Sequence, residues 1–429
     1  MTSKTTLLPV VAMLVAAVTT LTAVSASAAP FLTGVNLAGA EFGATTLPGT
    51  YNSNYTYPNQ TEVDYFRSKG MNVVRLCFRW ERLQQSTNAN FNSAEFSRFH
   101  SFVSATTAKG VYVILDPHNF QRYYPDPANF QSSEQGLVGS AVADSAFVDF
   151  WSRLAAIYKT NQYVIFNLMN EPNSMPTEQL VTSENAAIAG IRAAGATNLI
   201  LVPGNAWTGA WTWYYNYYGT PNAQAMLDIV DSANNFAFDV HQYLDSDGSG
   251  THTTIVSETV GLDRLSDFTA WLKASNRRGF LGEFAVPNAI VGSGPSQIGD
   301  EALTNMLHHI RDNSDVWLGW TWWAAGPWWG DYMFTLEKTT GGADQPAMAV
   351  LKNFIPTPAP LLVIKSTSQF QFVAQPGFLY QRQITTNLDT GSWTDFGVAI
   401  TGNGQTATVN LSAGADAQYF TRMHVSHVP

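Results

Sequence analysis

The stretch Val164-Ile165-Phe166-Asn167-Leu168-Met169-Asn170-Glu171-Pro172 runs from a buried-strand texture straight into an amide, a carboxylate and a proline. Proline has no N–H for a sheet ladder and biases the residue before it away from helix. The strand is therefore expected to stop at Glu171, leaving an acid and an amide at its carboxyl end. A core strand gains nothing structural from a glutamate there, which makes that residue a candidate for chemistry.

Outward from this stretch, short apolar runs recur at 32–37, 72–78, 111–115, 164–169, 199–202, 236–240, 279–282 and 317–323. Between them lie segments of helical spacing at 62–69, 93–108, 145–158, 177–194, 261–275 and 297–312, with a final one at 345–354. The connection 204–235 is irregular, with a helix expected over 223–230. Strands alternating with helices imply parallel pairing with right-handed crossovers. Eight such units predict a closed (β/α)8 barrel, the TIM-barrel form of the α/β class, over residues 30–355. An open doubly wound sheet would carry a glycine-rich phosphate turn after its first strand. Gly34-Val35-Asn36-Leu37-Ala38-Gly39 lacks that spacing.

The flanks read differently. Lys4, an apolar run to Val24 and the small-residue Ala26-Ser27-Ala28 form a secretory signal pattern over 1–29, with cleavage expected near Ala28 or Ala29. A membrane anchor is the competing reading, but the run is short, interrupted by threonines and followed by no second run of spanning length. At Ile355-Pro356-Thr357-Pro358-Ala359-Pro360 proline recurs at every second residue, a stiff, extended linker assigned to 356–361. Beyond it, alternating runs at 361–364, 369–373, 378–383, 396–400, 407–411 and 419–424 predict a small antiparallel β-sandwich over 362–429.

Composition narrows the function. The 429 residues are 45% hydrophobic, enough for a sizeable core, and the formal charge of -10 becomes -11 once Lys4 is removed with the signal segment. An acidic exported chain is a poor partner for nucleic acid or an anionic membrane. Cys77 is alone, so no intrachain disulfide exists, and its apolar strand makes it a buried small hydrophobe rather than a nucleophile. A monomer held by its own core is expected.

A barrel places its chemistry at the carboxyl ends of its strands. Those ends read Arg75 with Arg79-Trp80-Glu81, Asp116-Pro117-His118-Asn119, Asn170-Glu171-Pro172, His241-Gln242-Tyr243, Gly282-Glu283-Phe284 and Trp320-Thr321-Trp322-Trp323. Glu171 and Glu283 fall on strands four and seven, which face each other across a barrel mouth. Two carboxyls across a shared space are the apparatus of glycoside hydrolysis: one protonates the leaving oxygen, the other attacks the anomeric carbon or activates water. Salt bridges on the rim are the bland alternative. His118, His241 and the carboxylates could also ligate a metal. No His-x-His pair follows strand one, however, and no strand-end lysine is placed to bridge two metals, so no metal is expected. Asp245-Ser246-Asp247-Gly248-Ser249-Gly250 begins like a calcium loop, but Val256 stands where a bidentate glutamate is required, and the segment reads as a flexible loop.

Aromatic residues gather on the same rim. Six of 13 tryptophans lie between Trp317 and Trp329, another set is Trp207, Trp211 and Trp213, and a third is Phe120, Tyr123 and Tyr124. Sugar rings lay apolar C–H faces on aromatic rings while their hydroxyls seek polar partners, so these clusters indicate an open carbohydrate cleft.

Gly34-Val-Asn-Leu-Ala-Gly39 with Glu41-Phe42-Gly43, Asn72-Val-Val-Arg75, Asp116-Pro-His118-Asn119, Asn170-Glu171-Pro172, His241-Gln-Tyr243, Gly282-Glu283-Phe284 and Trp323-Ala-Ala-Gly-Pro-Trp-Trp-Gly330 follow in order. Together they make the chain from about Phe31 to Phe354 resemble glycoside hydrolase family 5, in the branch holding many fungal and bacterial endo-β-1,4-glucanases. The resemblance implies a retaining double displacement on a β-glucan polysaccharide, with Glu171 as acid/base and Glu283 as nucleophile. It implies that Asn170 binds the substrate 2-hydroxyl and that Arg75 holds Glu283 ionised and oriented. His241 and Tyr243 would support the acid/base and the nucleophile respectively. His118 would bind the sugar beside the cleavage point, Trp323 would form its floor, and Trp207 with Trp211 would form the leaving-side platform. No cofactor is implied. Another β-glycan, such as mannan, xyloglucan or mixed-linkage glucan, is compatible with the same residues. Around Tyr380-Gln381-Arg382 and Gly391-Ser392-Trp393-Thr394 the tail resembles small β modules appended to bacterial exported enzymes, read as a structural appendage in preference to a carbohydrate-binding one.

Overall fold

A computed structural model describes residues 30–124, 136–291, 298–358, 360, 362–366, 369–386, 392–411 and 420–428. The expected signal segment 1–29, Ala359 and Leu361 of the expected linker, and Tyr419 of the expected strand 419–424 lie outside the described residues. The chain divides into two units, Met1–Phe31 and Leu32–Pro429, and the second holds both the barrel and the tail. Among the described residues no helix is long and apolar enough to cross a membrane.

Eight parallel strands close in sequence order: β1 Leu32–Ala40, β2 Val73–Phe78, β3 Tyr112–Pro117, β4 Val164–Asn167, β5 Ile200–Pro203, β6 Phe236–His241, β7 Gly279–Glu283 and β8 Trp317–Ala325, with β1 paired to β8. This is the (β/α)8 barrel that the alternation predicts. Outside it run α1 Gln60–Ser68, α2 Trp80–Leu83, α3 Ser93–Thr107, α4 Asp144–Tyr158, α5 Thr177–Ala193, α6 Asn222–Ala225, α7 Val260–Ser275, α8 Ile298–Asp312 and α9 Pro346–Leu351. Local chemistry explains the boundaries. Asn59 caps α1 through its side chain while Glu62 answers to the cap backbone, a capping box. α7 ends where Asn276 takes a left-handed backbone at φ 54°.

Seven consecutive strands each contribute one residue to an apolar cluster: Leu32, Val73, Ile114, Ile165, Leu201, Ala237 and Phe280. Above that layer the strand interiors turn polar, with Asn36, Arg75, Asp116, Asn167, Asp239 and Thr321 all fully buried. The apolar layer fills the barrel, and the polar layer carries the mouth.

Three expectations shift. β4 ends at Asn167 rather than at Glu171: after Leu168 donates to Leu201 O, the Asn170 N–H turns to Pro117 O on β3, so the ladder with β5 stops. The helix expected over 223–230 is a single α turn, α6, followed by a 3-10 turn at Met226–Asp228. In the tail, 396–400 is not a strand. Thr394–Asp395 and Ile400–Thr401 form two-residue strands there, β12 and β13, flanking a loop with exposed Val398.

The other tail strands are β9 Val363–Ser366, β10 Gln369–Val373, β11 Phe378–Thr385, β14 Thr406–Asn410 and β15 Phe420–His427, in two antiparallel sheets ordered β14-β10-β9 and β12-β11-β13 with β15 also on β11. His427 Nε2 lies 2.8 Å from Ile355 O, a contact between β15 and the segment after α9.

Candidate active site

Glu171 follows β4 with a left-handed backbone, φ 43°, a conformation costly for a non-glycine residue and therefore one its surroundings must hold. The Asn173 side chain donates to its carbonyl, and the Pro172 carbonyl accepts from Trp207 N–H. His241, the last residue of β6, places Nδ1 2.8 Å from Glu171 Oε1. Glu283, the last residue of β7, takes Arg75 Nη1 on Oε1 and the Tyr243 hydroxyl on Oε2, both at 2.8 Å. One ligand atom from each of Glu171, His241 and Glu283 lies within 4.8 Å of the other two.

Arg75 is the hub of the buried layer. Nη1 also donates to Asn36 Oδ1 at 2.8 Å, while Nη2 reaches Asn170 Oδ1 at 2.7 Å and Asp116 Oδ1 at 3.0 Å. Asn170 Nδ2 faces His118 Nε2 at 3.1 Å, and His118 Nδ1 lies 2.9 Å from Asp116 Oδ2. Burial alone would weaken the Arg75 charge, but Asp116 and Glu283 raise its affinity for the proton above the ordinary value. Burial also opposes the Asp116 charge; Arg75 and the His118 hydrogen bond reverse that and hold its carboxyl below the usual range. For Glu283 burial prevails: it raises the carboxyl above the ordinary value, helped by Glu171 and opposed by His241 and Arg75.

The His118 ring stacks on Trp323 at 5.4 Å and 17°. Trp323 Nε1 donates to the Tyr332 hydroxyl at 3.1 Å, and Tyr332 stacks on Trp329. Trp207 and Trp211, 49% and 37% exposed, line a cleft of about 400 Å³ with Glu171, His241, Tyr243 and Tyr217. The Arg264 guanidinium covers one face of Trp211 at 4.1 Å. The loop that lines the same cleft through Asp247, Gly248 and Ser249 is organised by Asp245, whose carboxylate accepts the N–H groups of Gly250, Thr251 and His252.

Of the residues singled out at the strand ends, Trp80, Trp320 and Trp322 are buried in aromatic packing, while the two glutamates and their polar partners gather at the mouth. Arg75, Glu283, Asn170, His118 and Tyr243 share one hydrogen-bonded network, and the bonded pair Glu171–His241 meets it through a 3.6 Å approach of His241 Nδ1 to Glu283 Oε2. Trp323 stacks on His118, and Trp207 with Trp211 line the cleft beside Glu171 and His241. Sequence reasoning assigned no role to Asn36, Asp116, Asp239 or Tyr332. Asn36 donates to Gly282 O at 2.8 Å and Trp322 O at 3.1 Å, joining β1 to β7 and β8 while orienting Arg75. The available signal was a polar side chain within an apolar strand, because a buried polar group must find partners.

A family model described as Cellulase (glycosyl hydrolase family 5) matches residues 28–326. Endoglucanase gh5-1 of Neurospora crassa is 40% identical over 326 residues, covering 75% of this chain and 77% of its own. Endo-beta-1,4-glucanase A of Emericella nidulans is 40% identical, covering 75% and 91%. Among solved structures, XacCel5A in complex with cellopentaose aligns with a TM-score of 0.70 at 43% identity, covering 76% of this chain and 99% of its own. An endo-beta-1,4-glucanase from Xanthomonas axonopodis pv. citri matches with the same score and identity, covering 98% of its own chain. A closed parallel barrel with paired carboxylates at its mouth and this likeness over most of its length has one reading: the chain belongs to glycosyl hydrolase family 5, the cellulase family.

Proposed function

We propose that this enzyme is an exported, monomeric endo-β-1,4-glucanase that cleaves internal bonds of cellulose or soluble β-glucan with retention of configuration. The observation that carries the reading is the facing of Glu171 and Glu283, with oxygens within 4.8 Å of each other. Retaining sites hold their carboxyls about 5–5.5 Å apart, whereas inverting ones leave room for a water.

Arg75 N–H and Tyr243 O–H both point at Glu283 and orient it for attack, with Arg75 opposing the burial that raises its carboxyl. Glu283 then attacks the anomeric carbon while Glu171 protonates the leaving oxygen. In the second step Glu171 takes a proton from water, which releases the sugar from Glu283. Asn170, held between Arg75 and His118, is placed for the sugar 2-hydroxyl. Trp323 takes the sugar face at the cleavage point, and Trp207 and Trp211 take the leaving side. Segment 1–29 acts as the export signal, residues 30–355 as the catalytic domain, 356–361 as linker and 362–429 as appendage. No cofactor enters.

Product lengths from cellopentaose, read beside mannan, xyloglucan and mixed-linkage glucan, test the assignment. Cleavage of internal bonds with cellulosic substrates preferred is expected. Preference for mannan or xyloglucan would reassign the substrate.

A further inference from the structure

Asp239 is fully buried on β6, and neither carboxylate oxygen has a hydrogen-bond partner among the described residues. A buried carboxylate without partners is costly and calls for an explanation. His241 Nε2, likewise without a hydrogen bond among the described residues, lies 3.7 Å from Asp239 Oδ2. That is beyond hydrogen-bond length but well within electrostatic reach. Gly282 keeps the space open, since a Cβ there would stand 2.2 Å from Asp239 Oδ1. The other ring nitrogen, Nδ1, lies 2.8 Å from Glu171 Oε1 and 3.6 Å from Glu283 Oε2. Charged groups thus face the ring from after β4 (Glu171), from β7 (Glu283) and from its own strand (Asp239). Asp116 on β3 adds a longer-range anion, and Arg75 on β2 is the opposing cation, bound to Asp116 and Glu283.

We propose that Asp239 is a positioning residue that keeps His241 doubly protonated, so that Nδ1–H acts only as a donor to Glu171. The proposal rests on the acid/base reading of Glu171. A neutral imidazole has one bare nitrogen. Were that nitrogen Nδ1, it would accept the Glu171 acid proton and hold it away from the glycosidic oxygen. As an imidazolium, His241 donates to Oε1 and leaves the proton on Oε2 free for the leaving group. When Glu171 is the base, the same N–H stabilises its carboxylate. A carboxylate acting on one ring nitrogen to set the task of the other is the logic of the Ser-His-Asp triad. Titration agrees: burial disfavours the imidazolium, yet Glu283, Asp239 and Glu171 together push His241 up to about 10.

Asp239→Asn keeps the shape and removes the charge. Nitrogen-15 NMR of the histidine side chains should show wild-type His241 doubly protonated near neutral pH, and in D239N its deprotonation should fall by about one to three pH units. The basic limb of kcat/KM for cellopentaose should move down with it. kcat/KM for dinitrophenyl β-cellobioside, whose leaving group needs no acid, should keep its wild-type profile. A wild-type His241 that is neutral near neutrality overturns the proposal without any variant. So does an unmoved titration in D239N, or a loss equal for both substrates and uniform in pH, as a packing role would give. If Glu171→Ala turns over cellopentaose normally, it is the acid/base reading that falls, while the NMR titration still decides whether Asp239 governs the His241 charge.

Discussion

Arg75 Nη1 lies 2.8 Å from Glu283 Oε1, with both side chains buried at the barrel mouth. The guanidinium fork serves Asn36, Asn170 and Asp116 as well, a geometry that a single ammonium cannot reproduce. Lysine keeps the charge but cannot donate to all four acceptors at once, and a buried acceptor left unpaired costs about 1–3 kcal/mol. Arg75→Lys should therefore lower kcat/KM on cellopentaose by up to about a hundredfold, and lower the melting temperature. Wild-type kinetics in R75K would show that Glu283 does not depend on the fork.

The two glutamates should fail differently. Glu283→Gln should abolish hydrolysis of carboxymethyl cellulose in a folded protein. Glu171→Ala should lose about 10²–10⁴ in rate on cellopentaose, the usual worth of a general acid. It should still be glycosylated by substrates with activated leaving groups, and azide should rescue its deglycosylation. Stopped-flow release of the leaving group, with and without azide, separates the two variants.

Two buried groups of opposite sign contribute to the pH dependence of stability. The His241 pKa in the fold, about 10, is raised above the usual imidazole value, so its contribution is complete below about pH 6.5 and is lost as pH rises through about 10. The Asp116 pKa is lowered, so its contribution is present above about pH 4 and is lost as pH falls through the native value. Denaturant unfolding across pH should show both declines. His241→Gln should flatten the alkaline one and leave the acid one in place.

Trp207 and Trp211 are exposed in the cleft that Glu171 lines, with one face of Trp211 already under Arg264. Loss of a stacking ring costs about 1 kcal/mol, which is severalfold in binding. Trp207→Ala should raise KM for cellopentaose by that factor, leave kcat within about twofold, and shift the position of cleavage. Product chromatography checks the shift.

Much of this was legible because a barrel converts sequence order into spatial order. Each apolar run followed by a polar residue marks one strand end, and closure brings eight such ends together. For that reason Glu171 and Glu283 could be paired before their geometry was known. The end of β4 was misplaced because Pro172 marks a stop but not the last ladder bond, which depends on the Asn170 N–H turning to β3. No role for Asn36, Asp116 or Asp239 is legible in the sequence. Their partners come from other strands, such as Gly282 for Asn36 and Arg75 for Asp116, and no local spacing reports that pairing. The 396–400 run failed for a related reason: alternation alone does not show whether a neighbouring strand continues beside it, and Phe396 instead packs under Arg382 at 4.6 Å.

The central claim, that Glu283 and Glu171 act in a double displacement, is tested most directly by proton NMR of the anomeric signals during the first minutes of cellopentaose hydrolysis. The β-anomer of the new reducing end should appear first and equilibrate to the α-anomer later. Initial appearance of the α-anomer would mean a single inverting displacement and would contradict the account.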